Sequence, residues 1–97
     1  MDERTVREHA LLHAQAVQQG DLRAAARDLT DDARASAPTV MAALPQSVTS
    51  VDIPSLHPSD AGWLVHIAYR GDGDSVLVES TWAEVDGRPM VTALRVL

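Results

Sequence analysis

Two Asp-Gly pairs constrain this chain more than any other feature. Asp72-Gly73 and Asp86-Gly87 each stand between runs rich in β-branched and aromatic residues. Asp-Gly supplies the positive φ angles that a two-residue hairpin turn requires, so each pair joins two antiparallel strands. The spacing predicts strands at Trp63–Arg70, Ser75–Val85 and Arg88–Leu97. A further strand is expected over Val48–Leu56, with Pro54 marking it as an edge or as ending early. His57 to Gly62 is expected to be a loop.

The half before Pro45 reads differently, being rich in Ala, Arg, Asp and Gln. A first helix is expected from Asp2 to Gln19, with Gly20 as its left-handed stop. Asp21 can cap a second helix, Leu22 to Thr30, whose Leu22, Ala25, Ala26 and Leu29 share one side. A third helix is expected from Pro38 to Leu44, capped by Ser36, with Ala33 to Ala37 as the gap before it. Helices followed by strands give an α+β domain, one unit over residues 1–97. Three N-terminal helices should pack on an antiparallel meander of three to four strands.

Two-residue turns set the register. Trp63 then pairs with Trp82, Val65 with Ser80, Ile67 with Val78, and Tyr69 with Val76. One step along, Leu64 pairs with Thr81, His66 with Glu79, and Ala68 with Leu77. In the second hairpin Trp82 faces Val91, Val78 faces Arg95, and Glu79 faces Leu94. Alternation separates a face with Trp63, Tyr69, Trp82 and Val91 from one with His66, Glu79, Leu94 and Val96. Both faces are apolar, and three short helices cover only one. A homodimer through the other face is therefore expected.

Composition excludes several classes. The formal net charge is −6, and all eight basic residues are arginine. Neither a nucleic-acid surface nor an anionic membrane suits that balance. There is no cysteine, which removes disulfides and thiolate chemistry. No leader of signal-peptide type opens the chain and no run reaches membrane-spanning length, so a cytoplasmic protein is expected.

Gly20-Asp21-Leu22, Leu29-Thr30-Asp31-Asp32-Ala33 and the late hairpin Trp82…Val85-Asp86-Gly87-Arg88…Arg95-Val96 carry a resemblance. In order and spacing, over nearly its whole length, the chain resembles the nuclear transport factor 2-like (SnoaL-like) superfamily, of cystatin-like α+β fold. The resemblance implies a curved sheet wrapped round a helix into a cone with a pocket, and dimers packed through the sheet. Members usually carry an extra strand pair between the second and third helices. Here that pair is lost or reduced to one short strand, which implies a smaller pocket. The Asp, Tyr or His sets of the family's isomerases, hydrolases and cyclases do not align onto this chain.

Three groups are candidate sites. His66 and Glu79 face each other across two strands, as an acid/base pair or as a hydrogen-bonded structural pair. His9 and His13 lie one helical turn apart, a spacing that two metal ligands can use, but no third ligand is evident and no metal is expected. His13 lies between Val6 and Val17 on the helical wheel, where it can line a pocket. Trp63, Tyr69 and Trp82 can stack on a planar ligand, with Ser80 or Arg95 as polar contact, or form ordinary core. Asp28 reads as part of a solvated polar edge with Arg27 and Asp31. The GDGD run at Gly71–Asp74 is too short for a calcium loop. The leading reading is a small dimeric domain binding a small apolar molecule, without cofactor. The rivals are an isomerase or cyclase using a pocket histidine as base, and a structural dimer with no open pocket.

Overall fold

A computed structural model of the chain describes residues 1–97, as three helices followed by four strands. The fold class is α+β, with one antiparallel sheet in meander order.

Helix α1 spans Glu3–Gln18, with the Asp2 carboxylate accepting from the Thr5 amide as its N-cap. Its buried residues, Val6, Ala10, His13 and Ala14, form a single stripe at helical spacing. Gly20 takes φ 75°, ending that helix as its sequence requires. Helix α2 spans Leu22–Arg27, capped by Asp21 through the Ala24 amide. Helix α3 spans Asp31–Ala43, seven residues earlier than the Pro38 start expected for it. Thr30, not Ser36, is its cap, accepting from the Ala33 amide, and Asp31 and Asp32 form its first turn. Acidic residues there complement the positive end of the helix dipole. Pro38 therefore sits inside the helix, where it cannot donate to the Arg34 carbonyl. It lies on an exposed position, which lessens that cost.

Strand β1 spans Ser50–Ser59, β2 Gly62–Arg70, β3 Ser75–Val85 and β4 Arg88–Val96. His57, Pro58 and Ser59, expected in a loop, pair with Leu64, Trp63 and Gly62. Pro54 falls where the β1–β2 register shifts, between Asp52 and Ser55, on an edge strand. The β2–β3 pairing is that expected from Asp72-Gly73, from Trp63–Trp82 through Tyr69–Val76. In the next turn Asp86 and Gly87 both take positive φ, 51° and 81°, and Val85 pairs with Arg88.

One register expectation fails. Trp82 does pair with Val91, but Thr81 pairs with Ala93, so Thr92 is an extra residue in β4. From there the parity of β4 inverts. Val78 faces Val96, and Glu79 faces Arg95 rather than Leu94. Leu94 consequently turns toward the helices and packs on the core.

The helices cover the sheet face bearing Val65, Ile67, Tyr69, Val78, Trp82 and Val91, all buried. α1 lies over β1 and β2, α3 over β4, and α2 packs chiefly against α1. Between α2 and α3 there is no hairpin. A single parallel bridge joins Leu29 to Val91, with the Val91 amide donating to the Asp28 carbonyl and the Thr30 amide donating to the Val91 carbonyl. No helix is long and apolar enough to cross a membrane.

Candidate functional site

A cavity of about 330 Å³ lies between the three helices and the inner face of the sheet. Of its 16 lining residues 13 are hydrophobic. Ile67, Tyr69, Val78 and Leu94 form the side toward the sheet. Leu22, Ala25, Ala26 and Leu29 line it from the α2 segment, and Arg34, Ala37, Pro38 and Met41 from α3. These α3 positions follow i, i+3, i+4, i+7, so one stripe of the helix faces the cavity. Alanine at 25, 26 and 37 leaves room that larger side chains would fill. Leu22 is 51% exposed and Met41 39%, which makes them an apolar rim at the seam between α2 and α3.

His13 is the polar group of α1 in this lining. It is 5% exposed, and its Nδ1 lies 3.0 Å from Asp28 Oδ2. A carboxylate only accepts, so Nδ1–H donates and Nε2 is left as the acceptor of the neutral ring. The ring meets Trp82 edge to face at 5.8 Å between centroids. Asp28 Oδ1 also accepts from Arg88 Nη2 at 3.3 Å. The C-cap of α2 thus ties a buried histidine of α1 to the hairpin of β3 and β4. Asp28 is not part of a solvated edge, contrary to the expectation from its neighbours. Its partner lies fifteen residues away and is brought to it by the Gly20 reversal.

The three aromatic residues divide. Tyr69 lines the cavity, and burial alone pushes its hydroxyl pKa above the ordinary tyrosine value. Trp82 is fully buried beside the cavity, with its indole N–H donating to Ser80 Oγ at 3.0 Å. Ser80 in turn donates to the Val65 carbonyl. Trp63 packs at the core margin and donates to the Met1 carbonyl. Neither tryptophan is among the cavity-lining residues, so no three-ring stacking platform faces a ligand. His9 is half-buried on α1, and no cluster of three ligand-type side chains surrounds the His9–His13 pair.

His66 and Glu79 lie on the opposite face of the sheet, away from the cavity. His66 Nε2 donates to Glu79 Oε2 at 3.0 Å, and Ser55 Oγ lies 2.9 Å from His66 Nδ1. Arg95 Nε donates to Glu79 Oε1 at 2.8 Å. The result is one hydrogen-bonded belt across all four strands: Ser55, His66, Glu79, Arg95. Both ring nitrogens and both carboxylate oxygens are engaged. Each member is hydrogen-bonded to its neighbour, and the belt lies on the sheet face opposite the cavity. Arg95 joins it because the Thr92 bulge turns that side chain outward. Comparison of the chain with protein-family models, curated proteins and solved structures found no match.

The Glu79 carboxyl is held below its ordinary value of 4.5, first by the His66 hydrogen bond and then by that of Arg95. A lowered folded-state pKa means that the unfolded chain takes up the proton first as pH falls. The belt's contribution is therefore complete above about pH 4.5 and is lost as pH drops through the lowered folded value. Glu79→Gln is expected to cost about 1 kcal/mol at pH 7, with the difference from the parent narrowing below pH 4.5. Urea unfolding at pH 7 and pH 3 checks this; an equal cost at both would refute the assignment.

Proposed function

We propose that this chain is a small-molecule-binding domain of nuclear transport factor 2-like type, holding one apolar ligand between its helices and the inner face of its sheet. The cavity carries the proposal. At about 330 Å³ it is roughly twice the ~150 Å³ engineered cavity that admits benzene. That size suits a two-ring body. The apolar lining would supply affinity through removal of ring surface from water. The order of elements supports the kinship, with the Leu29–Val91 bridge standing where larger members carry a strand pair. A shortened cone agrees with the modest volume.

The His13–Asp28 pair supports a second reading, as an isomerase- or cyclase-type enzyme. Asp28 would orient the imidazole through Nδ1 and leave Nε2 as general base toward a bound carbonyl compound. His66 lies on the far face and does not line this cavity, so the base in this reading is His13.

The outer face of the sheet supports pairing with a second copy. Leu64, Leu77, Thr81 and Met90 are half-buried there around the belt, whose charges are satisfied internally. Such a face can be dried without stranding an ion.

Three outcomes are expected. Ligand-observed NMR should detect 1-naphthalenemethanol bound to the protein, and Ala37→Leu should weaken it at least about tenfold by filling the cavity, without loss of thermal stability. Undiminished binding to that variant would place the ligand elsewhere. For the catalytic reading, 2-tetralone in D₂O should lose its α-protons faster with the protein present, and His13→Gln should abolish the gain; equal rates in both would leave binding alone. Light scattering should give about twice the 10.4 kDa chain mass, falling to one chain for Leu77→Arg. A single-chain mass for the parent at high concentration removes the dimer.

A further inference from the structure

We infer that the ligand is an amphiphile whose one anionic group, a carboxylate, is held by Arg34 at the seam between α2 and α3. This rests on the ligand-cavity reading and adds the chemistry of the ligand's outer end.

Arg34 is the one residue of the cavity lining whose side chain carries a permanent charge. Its place in the α3 stripe sets its alkyl stem against the apolar lining while its exposed head reaches water. The head is already positioned. Arg34 Nη2 donates to the Ala26 carbonyl at 3.1 Å, so the guanidinium is tied from α3 to the end of α2. That bond uses one of five N–H donors and leaves an edge for bidentate contact with a carboxylate.

Its charge is also unspent. Arg4, Arg70, Arg88 and Arg95 each pair with a carboxylate within 4.0 Å. Arg7, Arg23, Arg27 and Arg34 do not, and of these four only Arg34 lines the cavity. Acids outnumber bases by 14 to 8, and Asp31 and Asp32 stand in the same first turn, yet neither reaches it. An arginine fixed at a pocket mouth, in an acidic protein, without an internal acid, has the form of a binding group.

The inner end of the cavity suits an anion poorly. His13 is backed there by the Asp28 carboxylate at 3.0 Å, whose negative charge would oppose a second one in a desolvated site. The neutral ring body therefore lies inward, toward Ile67, Tyr69 and Val78, and the carboxylate outward.

Calorimetric titration with 1-naphthoate and its methyl ester tests both layers. The parent should bind 1-naphthoate more tightly than the ester. Arg34→Gln should weaken 1-naphthoate about tenfold and leave the ester unchanged, while Arg23→Gln, an exposed arginine of α2 outside the lining, should change neither. Arg34→Lys, which keeps the charge but not the fork, should recover part of the loss. Equal affinity of the parent for both compounds, or 1-naphthoate binding indifferent to Arg34→Gln, overturns the anion proposal and leaves the cavity reading standing. Failure of the parent to bind either compound overturns both. The ester also reports folding: a variant that binds it normally has kept its cavity.

Discussion

Burial of Trp82 is the constraint on which the remainder rests. It is the largest side chain wholly removed from solvent in a protein that has no phenylalanine. An indole of its size removes some 150–250 Å² from water, worth about 4–6 kcal/mol before entropy is charged against it. Its N–H must find an acceptor, and Ser80 on the same strand provides one, itself tied to the Val65 carbonyl. The ring then gives α1 its seat, through its T-shaped contact with His13. Once His13 is there, Asp28 can reach it, and Asp28 draws in Arg88 from the β3–β4 hairpin. Helices and sheet are thus joined by one connected set of contacts centred on a single aromatic residue.

The cavity follows from the same economy. α1 and α3 enter the core through Ala10, Ala14 and Ala33, which are buried and small, and Ala25 of α2 lines the cavity. Large aromatic side chains that would fill the space are absent. α2 is only six residues long and leans mainly on α1, which leaves its seam with α3 open. Leu22 and Met41 are exposed at that seam and border the cavity's mouth. The two faces of the sheet thus serve different ends: the inner one encloses space beside a histidine, while the outer one spends its histidine on a closed belt.

Much of this was legible residue by residue. Asp72-Gly73 and Asp86-Gly87 specify local backbone geometry, and register propagates from a turn by simple counting. The β2–β3 pairs, the His66–Glu79 contact and the meander follow from that. Gly20 and Asp21 likewise act within a few residues of themselves. The misreadings have a common cause. The start expected at Pro38 follows proline's preference for a first turn, a local rule that the exposed Pro38 does not obey here; the helix starts instead from Thr30 as cap, with Asp31 and Asp32 in its first turn. Thr92 carries no sign that it is an extra residue, yet the bulge decides that Leu94 faces inward and Arg95 outward.

By itself the sequence determined the elements, most of their order in the sheet, and an α+β class, since these depend on hydrogen bonds and side-chain alternation over short spans. Only the tertiary structure decided which sheet face the helices cover, that His13 meets Asp28, that His66 lies outside, and that Arg34 borders a cavity. Each of those is a meeting of segments far apart in the chain. Such meetings depend on packing of whole surfaces, in which no single residue carries the information.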